Sequence, residues 1–216
     1  GGHGWHANAF NPETGLVYIA TQRAYFVMRT AENFVPNPQG TNLGIDMGAS
    51  FVYMRDNPDA PREFVGYVTA WDPVAGKAVW KSEEHDGPTG GVLSTGGGLV
   101  FSGGGNNTNE FRAYDTVSGQ KLWSFDTQTG MVAAPITFEL DGKQYVAASV
   151  GINSAGNYYA PNYSRLLVFA IDGAAVLPTP VSFTAPQLNP PPLTASAEEV
   201  AAGQQHYNAN CAICHG

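Results

Sequence analysis

At 216 residues, with 43% hydrophobic and 13% charged positions, the chain has the composition of a globular protein and not of a disordered one. Its net charge is −8 and no Lys/Arg cluster occurs, which excludes a nucleic-acid footprint and a polybasic membrane anchor. No apolar run approaches the roughly 20 residues needed to cross a bilayer, while 26 glycines and 15 prolines predict many turns, short strands and an all-β fold.

In chain order, Gly2-His3-Gly4-Trp5-His6 leads into two predicted strands, Ala9-Phe10 and Leu16-Val17-Tyr18-Ile19, which flank the turn residues 11–15. No carboxylate is adjacent to His3 and His6, so both read as core or rim histidines and not as a metal site. Residues 31–65 are rich in Asn, Pro and Gly and read as a loop-like insertion. An internal repeat follows. Ala70-Trp71-Asp72-Pro73-Val74-Ala75-Gly76-Lys77-Ala78-Val79-Trp80 returns as Ala113-Tyr114-Asp115-Thr116-Val117-Ser118-Gly119-Gln120-Lys121-Leu122-Trp123, an offset of 43 residues. That period is the length of a four-stranded propeller blade. Each copy reads as a strand ending in Asp, a turn closed by Gly, and a strand carrying a Trp.

Between and after the copies lie the predicted strands 91–94, 99–102, 134–138 and 144–148, with Asp141-Gly142 as a tight turn. The glycine runs 96–98 and 103–105 join strand to strand, with no helix to receive a phosphate, so they are turns and not phosphate loops. A second insertion, 151–164, precedes a third Asp-ended strand, 165–172. The order of strand, Gly turn, strand and Asp-ended strand thus occurs three times. The predicted domains are a partial β-propeller over 1–176, a Pro-rich extended linker over 177–194, and a further domain beginning at 195. Ser196-Ala197-Glu198-Glu199 is a capping box that opens a helix, with Val200, Gly203 and Tyr207 on one face. The helix runs into Cys211-Ala212-Ile213-Cys214-His215, which holds both cysteines of the chain. C-x-x-C-H is the attachment signature of a c-type haem. Cys211 and Cys214 are the thioether candidates, and His215 is the proximal ligand of the haem iron. Against this stand a disulfide, a zinc half-site or a chance match; a tetrahedral zinc site needs a fourth ligand, and the nearest spare, His206, reads as a solvent-facing helix residue.

The combination of Trp-bearing repeats, a Pro-rich linker and a cytochrome-like start resembles the quinohaemoprotein alcohol dehydrogenases. These are pyrroloquinoline quinone (PQQ) enzymes of the methanol/ethanol dehydrogenase family with a fused cytochrome c. The segments Gly2–His6, Phe10–Tyr18, Asn42–Asp46 and Ser164–Phe169 carry the likeness together with the two repeats. The resemblance implies an eight-bladed propeller of which this chain holds the C-terminal blades, followed by the truncated start of an α-helical cytochrome c domain. It implies PQQ contacts at Gly4, Trp5, Val150 and Gly151, and tryptophans 80 and 123 packed between blades. Two departures are visible: Gly4 stands where relatives carry Asn, and Gly151-Ile152-Asn153-Ser154 where they carry Gly-Trp-Gly-Gly. Asp46 either caps a turn or lines an active-site funnel.

The resemblance further implies PQQ, haem c and Ca²⁺ as cofactors and a small alcohol as substrate. The electron acceptor would be a cytochrome, cupredoxin or quinone, and the location the periplasm. The Ca²⁺ ligands and the catalytic base are expected upstream of Gly1 and the distal haem ligand downstream of Gly216, so this stretch alone is expected to be inactive. In such an enzyme Ca²⁺ polarises the quinone carbonyl, an Asp takes the alcohol proton, and electrons leave singly through the haem. Two other readings stay open: a non-catalytic propeller scaffold, and an electron-transfer protein whose propeller has lost PQQ.

Overall fold

The computed structural model describes residues 2–32, 34–36, 42–87, 89–104, 109–151, 164–180, 187 and 189–211. The strands are β1 (Ala9–Asn11), β2 (Leu16–Tyr25), β3 (Arg29–Thr30), β4 (Ile45–Asp46), β5 (Glu63–Asp72), β6 (Lys77–Lys81) and β7 (His85–Asp86). They continue as β8 (Thr89–Ser94), β9 (Leu99–Gly104), β10 (Glu110–Asp115), β11 (Lys121–Asp126), β12 (Ile136–Leu140), β13 (Lys143–Val150) and β14 (Arg165–Phe169). Two helices are present among the described residues, α1 (Met47–Asp56) and α2 (Ala197–Asn210). The chain divides into two compact units, Gly1–Ala24 with Phe64–Ala185, and Tyr25–Glu63 with Pro186–Gly216.

The first unit contains three antiparallel sheets, ordered β1-β2-β5-β6 (with β7 also on β5), β11-β10-β9-β8, and β12-β13-β14. Each sheet has the consecutive antiparallel order of a propeller blade, entered by its first strand and left by its last. Asp turns define the repeat. The Asp72 carboxylate accepts from the Val74 and Ala75 N–H groups, both at 2.8 Å, and Gly76 takes φ +65°. Asp115 does the same with Val117 and Ser118 at 3.0 and 2.7 Å, and Gly119 takes φ +72°. The Ser118 amide and hydroxyl hold the Asp115 carboxyl below its ordinary range. The third copy departs from this pattern. Strand β14 stops at Phe169, and Asp172 itself adopts φ +71° in a turn closed by Gly173 N–H donating to Ala170 O.

Period-two alternation gives each sheet two apolar faces, and the blades pack face to face. Leu16, Tyr18, Ala20, Val68, Ala70 and Trp80 of the first sheet bury against Val92, Val100 and Tyr114 of the second. The opposite face of the second sheet, with Phe101, Phe111 and Ala113, buries against Met131, Ala148 and Val150. Trp80 behaves as expected: its indole N–H donates to Thr116 O at 3.0 Å in the turn of the next blade, where Tyr18 also donates its hydroxyl at 3.0 Å. Trp123 is only partly covered, at 39% exposure, with Phe169 of the third sheet edge-on at 5.4 Å. It bridges blades but is not core.

Both insertions leave from the same point of a blade, the connection between its second and third strands. They join β2 to β5 and β13 to β14, and the short 105–109 stretch is their counterpart between β9 and β10. The first insertion is not structureless, contrary to its composition. Within the second unit, Arg29–Thr30 pairs with Ile45–Asp46, and the Asp46 carboxylate caps α1 by accepting from Ala49 N at 2.8 Å. Buried Ser50 donates to Asp46 O at 2.6 Å and accepts from Arg29 N at 2.8 Å, while the Arg29 guanidinium lies over the Tyr53 ring at 5.0 Å. Gly48 and Val52 are poor helix formers, so a cap and one buried hydroxyl hold α1 where propensity does not. Asp46 is therefore a cap.

Helix α2 begins with the predicted capping box. Ser196 Oγ accepts from Glu199 N at 3.3 Å, and the Glu199 carboxylate accepts from Ser196 N at 2.8 Å. The Ser196 amide and hydroxyl hold the Glu199 carboxyl below its usual range. Val200 and Tyr207 form the predicted apolar face, but it is exposed. No helix among the described residues is long and apolar enough to cross a membrane.

Candidate functional site

The first strands of the three blades start side by side, laced by backbone hydrogen bonds. Gln22 N donates to Gly2 O, and His3 pairs with Thr21, so residues 2–5 lie along the end of β2 from which the first insertion leaves. Val92 N donates to Ala7 O at 2.9 Å, and Gly91 N to Val132 O at 3.1 Å. Gly151 N donates to Gly130 O at 3.1 Å, and Thr129 returns a bond from its hydroxyl to Gly151 O at 3.1 Å. This close lacing needs bare backbone: a Cβ on Gly91 would stand 2.6 Å from Ala134 Cβ. Gly151 has φ +153°, and a Cβ there would meet Ser164 Oγ at 2.5 Å. The start of each first strand and the end of each second strand thus share one end of the blades, which is also the end that carries the insertions.

A cavity of about 440 Å³ opens at this end of the third blade. Val132 and Ala133, the run Ser149 to Gly151, and Ser164 to Leu166 line it. Two of the four residues assigned to the quinone from sequence, Val150 and Gly151, therefore form its wall. Arg165, opposite Val150 in the sheet, brings a guanidinium, and Ser149 and Ser164 bring hydroxyls. Sequence reasoning did not assign these residues to the site, although Ser164-Arg165 flanks the second insertion and that position was the available signal.

Gly4 and Trp5 lie outside the cavity lining. Trp5 is 80% exposed and stacks on the His6 ring, with centroids 4.4 Å apart and planes 22° apart. His6 is buried, and its Nε2 has no hydrogen-bond partner among the described residues. A Cβ on Gly4 would stand 3.2 Å from His6 Nδ1, so the imidazole occupies the space a side chain at position 4 would enter. His3 sits on the rim and bonds Ala20 O through Nδ1 at 2.9 Å. Core and rim are thus the places of the two histidines.

Burial, then the neighbouring His3, pushes the His6 imidazole below its ordinary value. The unfolded chain therefore binds a proton more readily than the folded one. Stability is expected to fall as pH drops through about 6.5 and to level off below the depressed folded value. Thermal midpoints of the wild type and of His6→Gln at pH 7.5 and 5.0 check this. The variant should lose that part of the pH dependence, and an unchanged slope would show that His6 is not its source.

A planar, multiply charged quinone fits the cavity's own groups, the hydroxyls of Ser149 and Ser164, the Arg165 guanidinium and the close backbone at Gly151, while the exposed indole of Trp5 lies apart from that lining. For the haem, Cys211 is exposed at the C-terminal cap of α2, its N–H donating to Tyr207 O at 2.8 Å. Cys214 and His215 lie outside the described residues, as do residues 152–154. His206 is exposed on α2, as expected. Among the described residues no group of three or more His, Cys, Asp or Glu is placed to hold a metal ion.

Comparison with known proteins agrees with this architecture. Residues 83–146 match the family described as PQQ "Glucose/ethanol/alcohol dehydrogenase, beta-propeller domain". The quinohemoprotein alcohol dehydrogenase ADH IIB of Pseudomonas putida is 42% identical over 228 residues, covering 100% of this chain and 32% of that protein. The 1-butanol dehydrogenase (cytochrome c) of Thauera butanivorans is 35% identical over 226 residues, covering 98% and 31%. In structure, the quinohemoprotein alcohol dehydrogenase from Comamonas testosteroni superposes with a TM-score of 0.70 at 32% identity, covering 100% of this chain and 32% of its own. The chain thus spans about a third of the length of the curated relatives it matches.

Proposed function

Because this chain belongs to the quinohaemoprotein alcohol dehydrogenase family, built on a PQQ-type propeller, we propose that it is the C-terminal blade region of such an enzyme. In this reading residues 1–176 are the last blades, 177–194 a linker and 195–216 the start of a cytochrome c domain. The whole protein oxidises a small alcohol in the periplasm and passes electrons through its own haem to a cytochrome, cupredoxin or quinone. One observation carries the reading: α2 presents Cys211, the head of C-x-x-C-H, in an exposed position on the same chain as the blades.

When bound, PQQ supplies the two-electron oxidant and haem c the one-electron outlet. This chain's residues contribute walls and anchors. Trp5 offers a flat apolar face, Gly151 keeps the backbone close to Ser164, and Arg165 places positive charge beside the cavity. Cys211 and Cys214 would hold the porphyrin by thioethers, with His215 on the iron. The base and the calcium ligands belong to segments outside this chain, so the 216 residues alone are expected to be inactive.

A second reading, an electron-transfer protein that has lost PQQ, is favoured by Gly4, whose side-chain space the His6 ring fills. Reconstitution of the full-length protein with PQQ and Ca²⁺ separates the two. Alcohol-dependent dye reduction is the expected result. A haem that stays redox-active while no alcohol is oxidised would sink the dehydrogenase reading.

A further inference from the structure

Beyond β14 the chain turns at residues 170–173, and the next stretch, 174–180, forms neither strand nor helix. Val176 is 89% exposed, so apolar burial does not hold it to the sheet. One side chain nevertheless reaches it. Gln128 Nε2 donates to Pro178 O at 3.1 Å, and Oε1 of the same amide accepts from Arg165 Nη1 at 2.9 Å. Among the described residues no other hydrogen bond ties 174–180 to the blades. Arg165 in turn lines the cavity.

Gln128 sits in a conformation that side chains seldom adopt, φ +63°, and its N–H donates to Asp126 Oδ1 at 2.8 Å. Its neighbours Thr127 and Thr129 are buried, with their hydroxyls on Asn109 O, Thr129 O and Gly151 O. A left-handed non-glycine residue between two buried, hydrogen-bonded threonines, spanning two distant segments with one amide, has the marks of a positioning device.

We propose that Gln128 is a latch that fastens the start of the Pro-rich linker to the cavity wall at Arg165. With the latch closed, the free part of the tether toward Cys211 begins after Pro178 and not after Gly173. A shorter tether with a fixed departure point raises the effective concentration of what it carries. Gln128 is therefore a positioning residue for the haem-bearing segment. That role rests on the functional reading above; the latch itself does not.

The test uses the full-length protein loaded with both cofactors. Gln128→Gly removes both bonds and relieves the positive φ, so folding is preserved; Gln128→Asn keeps an amide on a shorter arm and tolerates the same backbone. Thermolysin cleavage before Val176 should rise by roughly three- to tenfold, the range set by one net hydrogen bond. Haem reduction after rapid mixing with alcohol should slow by about 1.3- to 1.5-fold, as the tether lengthens by five residues. Unchanged cleavage in Gln128→Gly overturns the latch. Raised cleavage with an unchanged haem-reduction rate overturns its positioning role. A failure of the functional reading shows differently, as wild-type protein whose haem alcohol never reduces; the cleavage comparison decides the latch even then.

Discussion

Replacing Trp80 by alanine is expected to destabilise the protein by about 3–5 kcal/mol, the range for deleting a buried large aromatic. The indole joins two blades: it packs between Tyr18 and Tyr114, at 5.7 and 6.4 Å, and donates to Thr116 O across the junction. Its ring also lies where a side chain on Gly119 would be, 2.5 Å from the position of a Cβ there. Gly119→Ala should therefore cost stability on its own, through both that overlap and the φ of +72°. The double variant should be less destabilised than the sum of the two, because deleting the ring removes the overlap. Denaturant midpoints of the four proteins test the set. Strict additivity would show that the indole does not dock on Gly119.

The second large effect concerns the haem. In Cys211→Ala one thioether is lost and one vinyl group stays in conjugation, so the reduced α band should move to longer wavelength and haem retention should fall. Alcohol-dependent reduction of a small dye should persist, since the blades are untouched, while reduction of the haem by alcohol should be lost or severely slowed. Pyridine haemochrome spectra and stopped-flow absorbance read the two effects separately. An unshifted α band at full haem content would remove Cys211 from the attachment site, and with it the proposed outlet for electrons.

Local patterns in the chain were sufficient for several elements. The Asp turn at 72–76 was readable because carboxylate, spacing and glycine act within five residues, and it formed as expected. The Ser196–Glu199 box was readable for the same reason. The third Asp turn was misread: Asp172-Gly173 repeats the letters, but β14 ends earlier and the Asp takes the left-handed conformation itself. Helix α1 was missed because its stability comes from Asp46, Ser50 and Arg29 meeting across the 29–50 interval, a contact that no window of composition displays.

The candidate site divides in the same way. Trp5, Gly4, Val150, Gly151 and the C-x-x-C-H residues were named through family resemblance carried by short motifs. That Val150 and Gly151 share a cavity with Ser149, Ser164 and Arg165 required the pairing of β13 with β14. That Gln128 ties Arg165 to Pro178 required a fold that brings residues 37 and 50 positions apart within hydrogen-bond reach. By itself the sequence determined an all-β repeat, its turns, a capped helix and the haem signature, all set by interactions a few residues long. The tertiary structure alone decided which faces are covered, that His6 is buried and what stands beside the cavity. Those properties depend on which blade lies against which, and chain-distant neighbours leave no periodicity in the sequence.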